Sequence, residues 1–456
     1  MQSLIFCANN CNDSATDYGG ILMLEEIVIV DMKRSAFTRG GRGALVATRL
    51  DEVAVQIIHA LLADNPKITL DMIEEVGLGQ VGQAGELLNM GSAQIAQLAG
   101  IPYEASKFES NRQCGSSMEV IHRMTQAMML GSYDVGLCIG VERMEKALMW
   151  PMTKTTRITK INSGLFKHHN AIQSEQAKNH FDFFKQAIPE PILQSSPLCT
   201  MLQTAQNVAD MYQIDRADLD SFSLASHQKY GIASKNGFYD GEIVPLTTHA
   251  PIFDADQQCD YTQTGPEITL KIDDGYRSSS SLDKLQSLMP IPGIQSTLKR
   301  PIVITAGNSC PTNDGVSACL LMNAKKAKSL GLKPLARIVG MNVSGIKPQI
   351  MGVGPVIAVK KVLQKAQMRI EDIDSIEFNE AFASQVLATM RELEIPEAKL
   401  NPNGGSLAIG HPLGATGIRL VGTLAKSLHY HQRRYGIATQ CIGAGMGIAT
   451  LIENLR

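Results

Sequence analysis

The chain has 456 residues, of which 44% are hydrophobic and 39 are glycine, and its formal net charge at pH 7 is −2. This length predicts two or three domains with a large buried core, and the composition is typical of an α/β protein. The small charge excludes a global attraction to nucleic acid or to an acidic membrane, and no apolar run reaches the roughly 18 residues of a membrane span.

Nine cysteines are spread over the whole length of the chain. A disulfide scaffold would be small and dense in cysteine, so we expect a reducing, cytoplasmic compartment. Any one of these cysteines is first expected to be a buried packing residue, and a catalytic role needs support from its neighbours in the sequence.

The beginning of the chain differs from the rest of it. Residues 1–22 lack the basic region and the apolar core of a secretory signal. The folded pattern starts at Leu24, just before the apolar run IVIV. We therefore expect residues 1–23 to be a disordered extension, with Met23 as the natural start.

Strand-like and helix-like segments alternate from residue 24 onward, which predicts a mainly parallel sheet covered by helices on both faces. An internal repeat is also present. The segment 70–76 (LDMIEEV) reads like 370–376 (IEDIDSI), and the tripeptide CIG at 138–140 recurs at 441–443. Because the two matches have nearly the same offset, the pattern indicates a duplicated fold.

The texture of the sequence changes between the two halves. We expect an N-terminal half at 24–144 that continues at 314–333, and a C-terminal half at 334–456. The segment 145–313 is richer in polar residues, proline and serine, and it predicts an inserted loop domain. Within it we expect a helix over 214–234 and, after the turn at Asn236 and Gly237, a short strand over 242–244.

The segment NRQCGSSME at 111–119 is the first that points to chemistry. Ser116 and Glu119 have the spacing of a capping box, which places a helix start just after Cys114. The positive end of that helix would then favour the thiolate over the thiol. Gly115 lets a ligand or another backbone approach closely. Cys114 is a candidate nucleophile, and the alternative is a buried cysteine ahead of a helix.

Three later segments carry further candidates. His411, in the glycine-rich run GHPLGATG before a helix, can act as a base toward a thiol, although a lone histidine is more often structural. Cys441, in CIGAGMG at the end of a strand, suits proton transfer beside an anion hole, and the alternative is a packed strand end. Asn379, in NEAFA, can polarise a water molecule or a carbonyl.

In this order, NRQCGSSM, NEAFA, GHPLGATG and CIGAGMG resemble the active-site motifs of the thiolase family, as do TAGNS at 305–309, NDG at 313–315 and MG at 351–352. The resemblance runs from about Leu24 to Arg456. It implies an α/β protein with a five-layered α/β/α/β/α fold of two similar halves and an inserted loop domain. It also implies CoA-dependent cleavage of a 3-oxoacyl-CoA to acetyl-CoA and a shortened acyl-CoA through an acyl-cysteine.

The resemblance assigns a role to each candidate. Cys114 would be the nucleophile, and His411 would deprotonate the thiol of Cys114 or of coenzyme A. Cys441 would be the general acid and base at C2 of acetyl-CoA. Asn379, through a bound water, would hold the thioester oxygen together with His411. The backbone N–H groups of Cys114 and Gly443 would form a second oxyanion hole.

Coenzyme A is expected as a substrate rather than as a permanently bound cofactor, and no metal is expected. The residues implied to contact it are Arg277, Cys310, Met351, Ala381 and Phe382. The chain departs from the family pattern at three places: Cys310 replaces a serine, Ala444 replaces a glycine, and TMLQTAQNVA at 200–209 has Thr200 and Gln206 where the family has histidine and glutamate.

Several alternatives remain beside a degradative thiolase, which the segment NRQCGSSM favours. They are a ketoacyl synthase of the same fold, which would use two histidines where this chain offers Cys441, a biosynthetic acetoacetyl-CoA thiolase, and a non-catalytic protein that binds CoA or lipid. A homodimer or homotetramer is expected, with a β-oxidation multienzyme complex as a candidate partner. The basic stretch 154–167 is interpreted as a solvated loop rather than a phosphate site.

Overall fold

The computed structural model describes residues 24–82, 85–87, 90–144, 184–196 and 198–456. The predicted extension at 1–23 and the basic stretch at 154–167 lie outside these described residues. The strands within them are β1 (Ile27–Arg34), β2 (Thr38–Arg39), β3 (Glu75–Gly79), β4 (Ser106–Ser110), β5 (Val135–Glu142), β6 (Leu246–His249), β7 (Glu267–Leu270), β8 (Asn313–Asn323), β9 (Ala336–Gly345), β10 (Ser375–Phe378), β11 (Tyr435–Ile442) and β12 (Met446–Asn454).

The α-helices of the described residues are α1 (Leu50–Ala63), α2 (Gly91–Leu98), α3 (Ser116–Met129), α4 (Glu190–Leu193), α5 (Met201–Met211), α6 (Arg216–Lys235), α7 (Leu282–Gln286), α8 (Ala324–Ser329), α9 (Gly354–Ala366), α10 (Ala383–Leu393), α11 (Ser406–Ile409) and α12 (Leu413–Tyr430). Short 3-10 helices occur at Leu70–Met72, Gly85–Leu87, Pro348–Val353, Ile370–Asp372 and Glu397–Lys399. None of the described helices has both the length and the apolar character that crossing a bilayer requires.

Two sheets, one in each half, meet along a short seam. The N-terminal half has the strand order β1-β8-β5-β3-β4, and the C-terminal half has the order β10-β11-β12-β9. The seam joins β1 to β9 through only two residue pairs, Val28 with Arg337 and Ile29 with Ala336. The separate β6 and β7 form a two-stranded hairpin in the inserted segment.

The prediction of a mainly parallel sheet is wrong. Only β3 with β4, β3 with β5, and β10 with β11 pair in parallel. The pairs of β8 with β1 and β5, and of β12 with β9 and β11, are antiparallel. The three-residue turn at 443–445 allows β12 to fold directly back on β11, because an antiparallel neighbour needs no crossover helix.

Helices and sheets alternate in five layers, as the resemblance implied. Helices α1 and α2 pack on the outer face of the N-terminal sheet. Helices α3 and α12 lie side by side between the two sheets, and α9 and α10 cover the outer face of the C-terminal sheet. The middle layer matters most for function, because the loops before α3 and α12 carry Cys114 and His411.

The duplication is visible in the repeated motif itself. The 3-10 helix Leu70–Met72 leads into β3, which pairs in parallel with β5, and the 3-10 helix Ile370–Asp372 leads into β10, which pairs in parallel with β11. Cys138 and Cys441 therefore lie on corresponding strands. Cys138 is packed in the core between the sheets, whereas Cys441 lies at the end of its strand.

The segment that the sequence predicts as an insertion contacts the core through buried charges. The guanidinium of Arg34, on β1, pairs with Asp273 and Glu242 of that segment, and all three side chains are fully buried. The predicted helix over 214–234 is confirmed as α6. The predicted strand over 242–244 is present only as a single parallel bridge of Ile243 to Arg34, with the Val244 N–H donating to the Arg34 carbonyl, and the next strand, β6, begins after Pro245.

Candidate active site

Cys114 lies two residues before the first residue of α3, in a loop that the left-handed φ of 47° at Gln113 turns inward. The predicted helix start is confirmed, but the predicted capping box is wrong. The Ser116 hydroxyl donates to the main-chain oxygen of Gln113 at 2.6 Å, and the Glu119 carboxylate accepts from Arg112. The cause is that Ser116 is the first helical residue, whereas a capping box needs its serine at the residue before.

The sulfur of Cys114 is nearly removed from water, and this decides its charge. Burial raises the pKa of the thiol to about 11, although hydrogen bonds from the backbone N–H groups of Gly443 and of Cys114 itself act in the opposite direction. The negative charge of Glu142 raises it further. The expectation that the helix end favours the thiolate is therefore wrong for the free protein, because desolvation outweighs the N–H donors. A thiol with this pKa would need a base to act as a nucleophile at pH 7.

The turn between β11 and β12 brings the N–H group of Gly443 to the sulfur of Cys114. Ala444 and Gly445 both have left-handed φ values, 66° and 85°. Gly445 tolerates no side chain, since a Cβ would lie 2.3 Å from the Ile346 oxygen. The Gln440 side chain ties the same strand to the nucleophile by donating to the Cys114 carbonyl at 2.6 Å. The amides of Cys114 and Gly443 thus converge on one point.

His411 is held in one tautomer. Its Nδ1 lies 2.7 Å from the Thr416 hydroxyl, which itself donates to the Pro412 carbonyl. A hydroxyl that gives its hydrogen to Pro412 can only accept from Nδ1–H, and this arrangement leaves the lone pair of the ring on Nε2. Burial lowers the pKa of His411 to about 3, and the charge of Arg419 lowers it further. The ring is neutral at pH 7 and can accept a proton at Nε2.

Asn379 faces that lone pair from the end of β10. Its Nδ2 is 3.2 Å from His411 Nε2, and its Oδ1 accepts from the Ser406 hydroxyl at 2.6 Å. The side chain is fully buried. An amide donor and an imidazole that is held beside it can together bind an oxygen that gains negative charge.

Cys441 is a second buried thiol, at the end of β11. It donates to Oε1 of Gln385 at 2.7 Å, and Nε2 of Gln385 donates to the Asn379 carbonyl. Burial raises the pKa of Cys441 well above its ordinary value, and the nearby thiols of Cys114 and Cys310 add to this. The thiol is protonated at rest and available as an acid. Sequence reasoning missed Gln385, whose only signal is a polar residue in the first turn of α10.

Glu142 was also missed. It ends β5 and accepts backbone N–H groups from Val81, Gly82 and Gly414. It thereby fixes the start of α12 against the N-terminal half. Burial raises the pKa of this carboxyl to about 7, against the lowering effect of the three N–H donors.

Three of the five predicted CoA contacts, Cys310, Ala381 and Phe382, are close to one another. The Cys310 amide donates to the Ala381 carbonyl at 2.9 Å, and Ser309 pairs with Phe382. Met351 belongs to the same apolar cluster as Ala381, Phe382 and Cys441. Arg277 lies apart, exposed, with its guanidinium on the carbonyls of Asp274 and Tyr276.

The arrangement can perform acyl transfer. The buried thiol of Cys441 donates to Gln385, Gln385 donates to the Asn379 carbonyl, and the Asn379 amide faces His411. The thiol of Cys114 is near enough to Cys441 to raise its pKa. Within the described ranges, no group of three or more His, Cys, Asp or Glu side chains is arranged to hold a metal ion.

Comparisons with known proteins agree with this chemistry. A family model described as "Thiolase, N-terminal domain" matches residues 27–325, and one described as "Thiolase, C-terminal domain" matches residues 332–454. The chain is 35% identical to a β-ketoadipyl-CoA thiolase of Pseudomonas putida, over 95% of this chain and 100% of that one. It is 36% identical to the peroxisomal 3-ketoacyl-CoA thiolase B of Rattus norvegicus, over 94% of this chain and 91% of that one.

A solved structure is similar over the same extent. Human mitochondrial 3-ketoacyl-CoA thiolase in complex with CoA superposes with a TM-score of 0.75 at 29% identity, covering 95% of this chain and 99% of that one.

The buried, protonated state of Cys114 predicts how the free protein reacts with iodoacetamide. Because only the thiolate is alkylated and the pKa is about 11, the rate constant at Cys114 should rise by about tenfold per pH unit from about pH 7 to about pH 10. Peptide mass spectrometry would follow the modification of this cysteine. The urea-unfolded chain is the control and should level off near the ordinary pKa of about 8.5. A plateau below about pH 8 in the folded protein would show a stabilised thiolate and contradict this assignment.

Proposed function

The chain belongs to the thiolase family, and we propose that it acts as an acetyl-CoA C-acyltransferase that cleaves 3-oxoacyl-CoA with coenzyme A. The products are acetyl-CoA and an acyl-CoA shortened by two carbons. The observation that carries this proposal is the meeting of two protonated thiols and a neutral imidazole inside one site of a thiolase fold. The degradative direction agrees with the 3-ketoacyl-CoA thiolases among the relatives.

In the first half-reaction, we propose that His411 Nε2 takes the proton of the Cys114 thiol, and the sulfur attacks the 3-oxo carbon. The N–H groups of Cys114 and Gly443 donate hydrogen bonds to the oxyanion of the tetrahedral intermediate. The C2–C3 bond then breaks, its electron pair moves to the enolate of acetyl-CoA, and Cys441 donates its proton to C2. The protonated His411 and Asn379 hold the enolate oxygen until that proton arrives.

The second half-reaction restores the thiols. A proton passes from His411 to the Cys441 thiolate, so both groups return to their neutral forms. His411 then takes the proton of the incoming CoA thiol, and the CoA sulfur attacks the acyl group on Cys114. The Cys114 thiolate leaves and recovers its proton from His411. Each cycle thus consists of two acyl transfers, and ping-pong kinetics are expected.

For coenzyme A, we propose contacts from the cluster beside the thiols. Cys310, Ala381, Phe382 and Met351 would line the pantetheine arm, and exposed Arg277 would lie along the nucleotide. Coenzyme A enters as a substrate rather than as a bound cofactor. Segment 145–313, which we propose as the inserted domain, would then select the acyl chain. The relatives named for 3-ketoacyl-CoA and for β-ketoadipyl-CoA differ at that end of the substrate.

We also propose a homodimer or homotetramer in the cytoplasm. The edge strand β4 supports association, since its residues are only partly buried in the single chain and an uncovered strand edge invites pairing. A symmetric pair is the commonest form of self-association.

A β-oxidation multienzyme complex is the proposed further partner. Because some relatives are named as peroxisomal, fluorescence localisation of the protein in cells is the test of the proposed cytoplasmic compartment.

The first test uses acetoacetyl-CoA and the absorbance of its magnesium enolate. The wild-type protein should consume it only when CoA is added. Cys114→Ser should reduce this activity by at least about 10⁴-fold, because a hydroxyl beside a neutral imidazole is a far weaker nucleophile. Cys259→Ser, at a partly exposed cysteine between β6 and β7, is the matched control and should keep wild-type activity. A fully active Cys114→Ser variant would refute the assignment.

The second test separates the two half-reactions through Cys441. Cys441→Ala should lose cleavage by about 10²–10⁴-fold, the usual contribution of a general acid. It should still exchange the acetyl group between acetyl-CoA and labelled CoA, since that transfer makes no carbanion. His411→Ala should lose both activities, because each requires a thiol to be deprotonated. If Cys441→Ala lost exchange as severely as cleavage while folded, the division of roles would be wrong.

A further inference from the structure

A buried ion pair lies behind the site and has no place in the proposed catalytic steps. Arg419 on α12 donates from Nη1 to Oε1 of Glu377 on β10 at 2.5 Å, and both side chains are essentially unexposed. Burying two charges costs enough desolvation that an apolar pair of the same volume would often be as stable. The second terminal nitrogen of Arg419 is directed away from Glu377. It donates to the Ser406 hydroxyl at 2.7 Å.

The Ser406 hydroxyl sets the orientation of the Asn379 side-chain amide. Its oxygen accepts from Arg419, so its own hydrogen is free to bond Oδ1 of Asn379 at 2.6 Å. With Oδ1 engaged there, the Nδ2 group of Asn379 must be the one that faces His411. The hydrogen bonds from Arg419 to Ser406, from Ser406 to Asn379 and from Asn379 to His411 form a row. A guanidinium has donors and no acceptor, so the donor-to-acceptor direction of this row is set at its Arg419 end.

At His411 every hydrogen of the row points the same way. Nε2 receives the Asn379 N–H, and Nδ1–H is donated to Thr416, whose hydroxyl is donated to Pro412. A reversed row would turn the Asn379 oxygen toward Nε2 and place a proton there. It would also remove the acceptor of the Ser406 hydrogen, because Asn379 would present Nδ2 where Oδ1 now accepts. The base would then lose its lone pair.

We infer that Ser406, held by the Arg419–Glu377 pair, is a positioning residue that fixes the Asn379 carboxamide and so keeps the proton-accepting nitrogen of His411 on the substrate side. This inference rests on the proposed function for its kinetic consequence, but its structural part does not. In the free protein, the row sets the tautomer of His411 whether or not any substrate is present.

The experiment compares the wild type with Ser406→Ala, a small change that removes only the hydroxyl. Nitrogen-15 NMR of histidine-labelled protein without substrate, with His411 assigned from the His411→Ala spectrum, reports which ring nitrogen carries the proton. The wild type should show protonated Nδ1 and unprotonated Nε2. Ser406→Ala should show a second population with protonated Nε2. Its kcat for acetoacetyl-CoA cleavage should fall about tenfold or more, while KM for CoA stays within about twofold.

Two further variants keep the result decisive. Ser406→Thr retains the hydroxyl and should restore both the tautomer and most of kcat. Ser223→Ala removes another fully buried serine hydroxyl, one that donates to the Leu219 carbonyl within α6, and should change neither. The inference is overturned if wild-type His411 is protonated at Nε2, or if Ser406→Ala keeps the wild-type tautomer, whatever its activity. A wild type with the expected tautomer but without thiolytic activity would instead refute the proposed function.

Discussion

The thiols of Cys114 and Cys441 and the imidazole of His411 are removed from water together, and this shared burial keeps all three uncharged at rest. Desolvation raises the pKa of a thiol and lowers that of an imidazole, so each group is shifted toward its neutral form. The site therefore stores no thiolate–imidazolium pair. Charge develops only during reaction, and the fixed N–H donors of Cys114, Gly443 and Asn379 can stabilise it there without the competition of solvent.

The duplicated fold explains how these groups meet. Helices α3 and α12 form the middle layer, and the loops that precede them carry Cys114 and His411 to the same end of that layer. Strands β10 and β11 of the C-terminal half end at this point, with Asn379 just after the first and Cys441 within the end of the second. The N-terminal half contributes Glu142, whose carboxylate ties its own loop at 81–82 to the start of α12. Both halves contribute to the site: Cys114 comes from the N-terminal half, and Asn379, His411 and Cys441 come from the C-terminal half.

Local sequence patterns predicted the parts of this arrangement that depend on local forces. The starts of α3 and α12, the strand that ends at Cys441 and the repeat of 70–76 at 370–376 all follow from short-range sequence patterns. The antiparallel pairing of β8 with β1 and β5 and of β12 with β9 could not be predicted from local patterns, because it joins segments that are far apart in the chain. The charge of Cys114 was misjudged because a helix end is visible in sequence and desolvation is not. Gln385, Ser406 and Arg419 were missed for a related reason, since a buried polar residue reveals its partner only in three dimensions.

The proposed mechanism depends most directly on a covalent acyl group at Cys114. The decisive measurement is peptide mass spectrometry of protein mixed with acetoacetyl-CoA in the absence of free CoA and quenched in acid after a few milliseconds to seconds. The mechanism predicts an acetyl thioester on the peptide that contains Cys114, formed together with one equivalent of acetyl-CoA and removed when CoA is added. An acetyl group on the peptide of Cys441 or Cys310, or product release with no acylated peptide at any time, would contradict it.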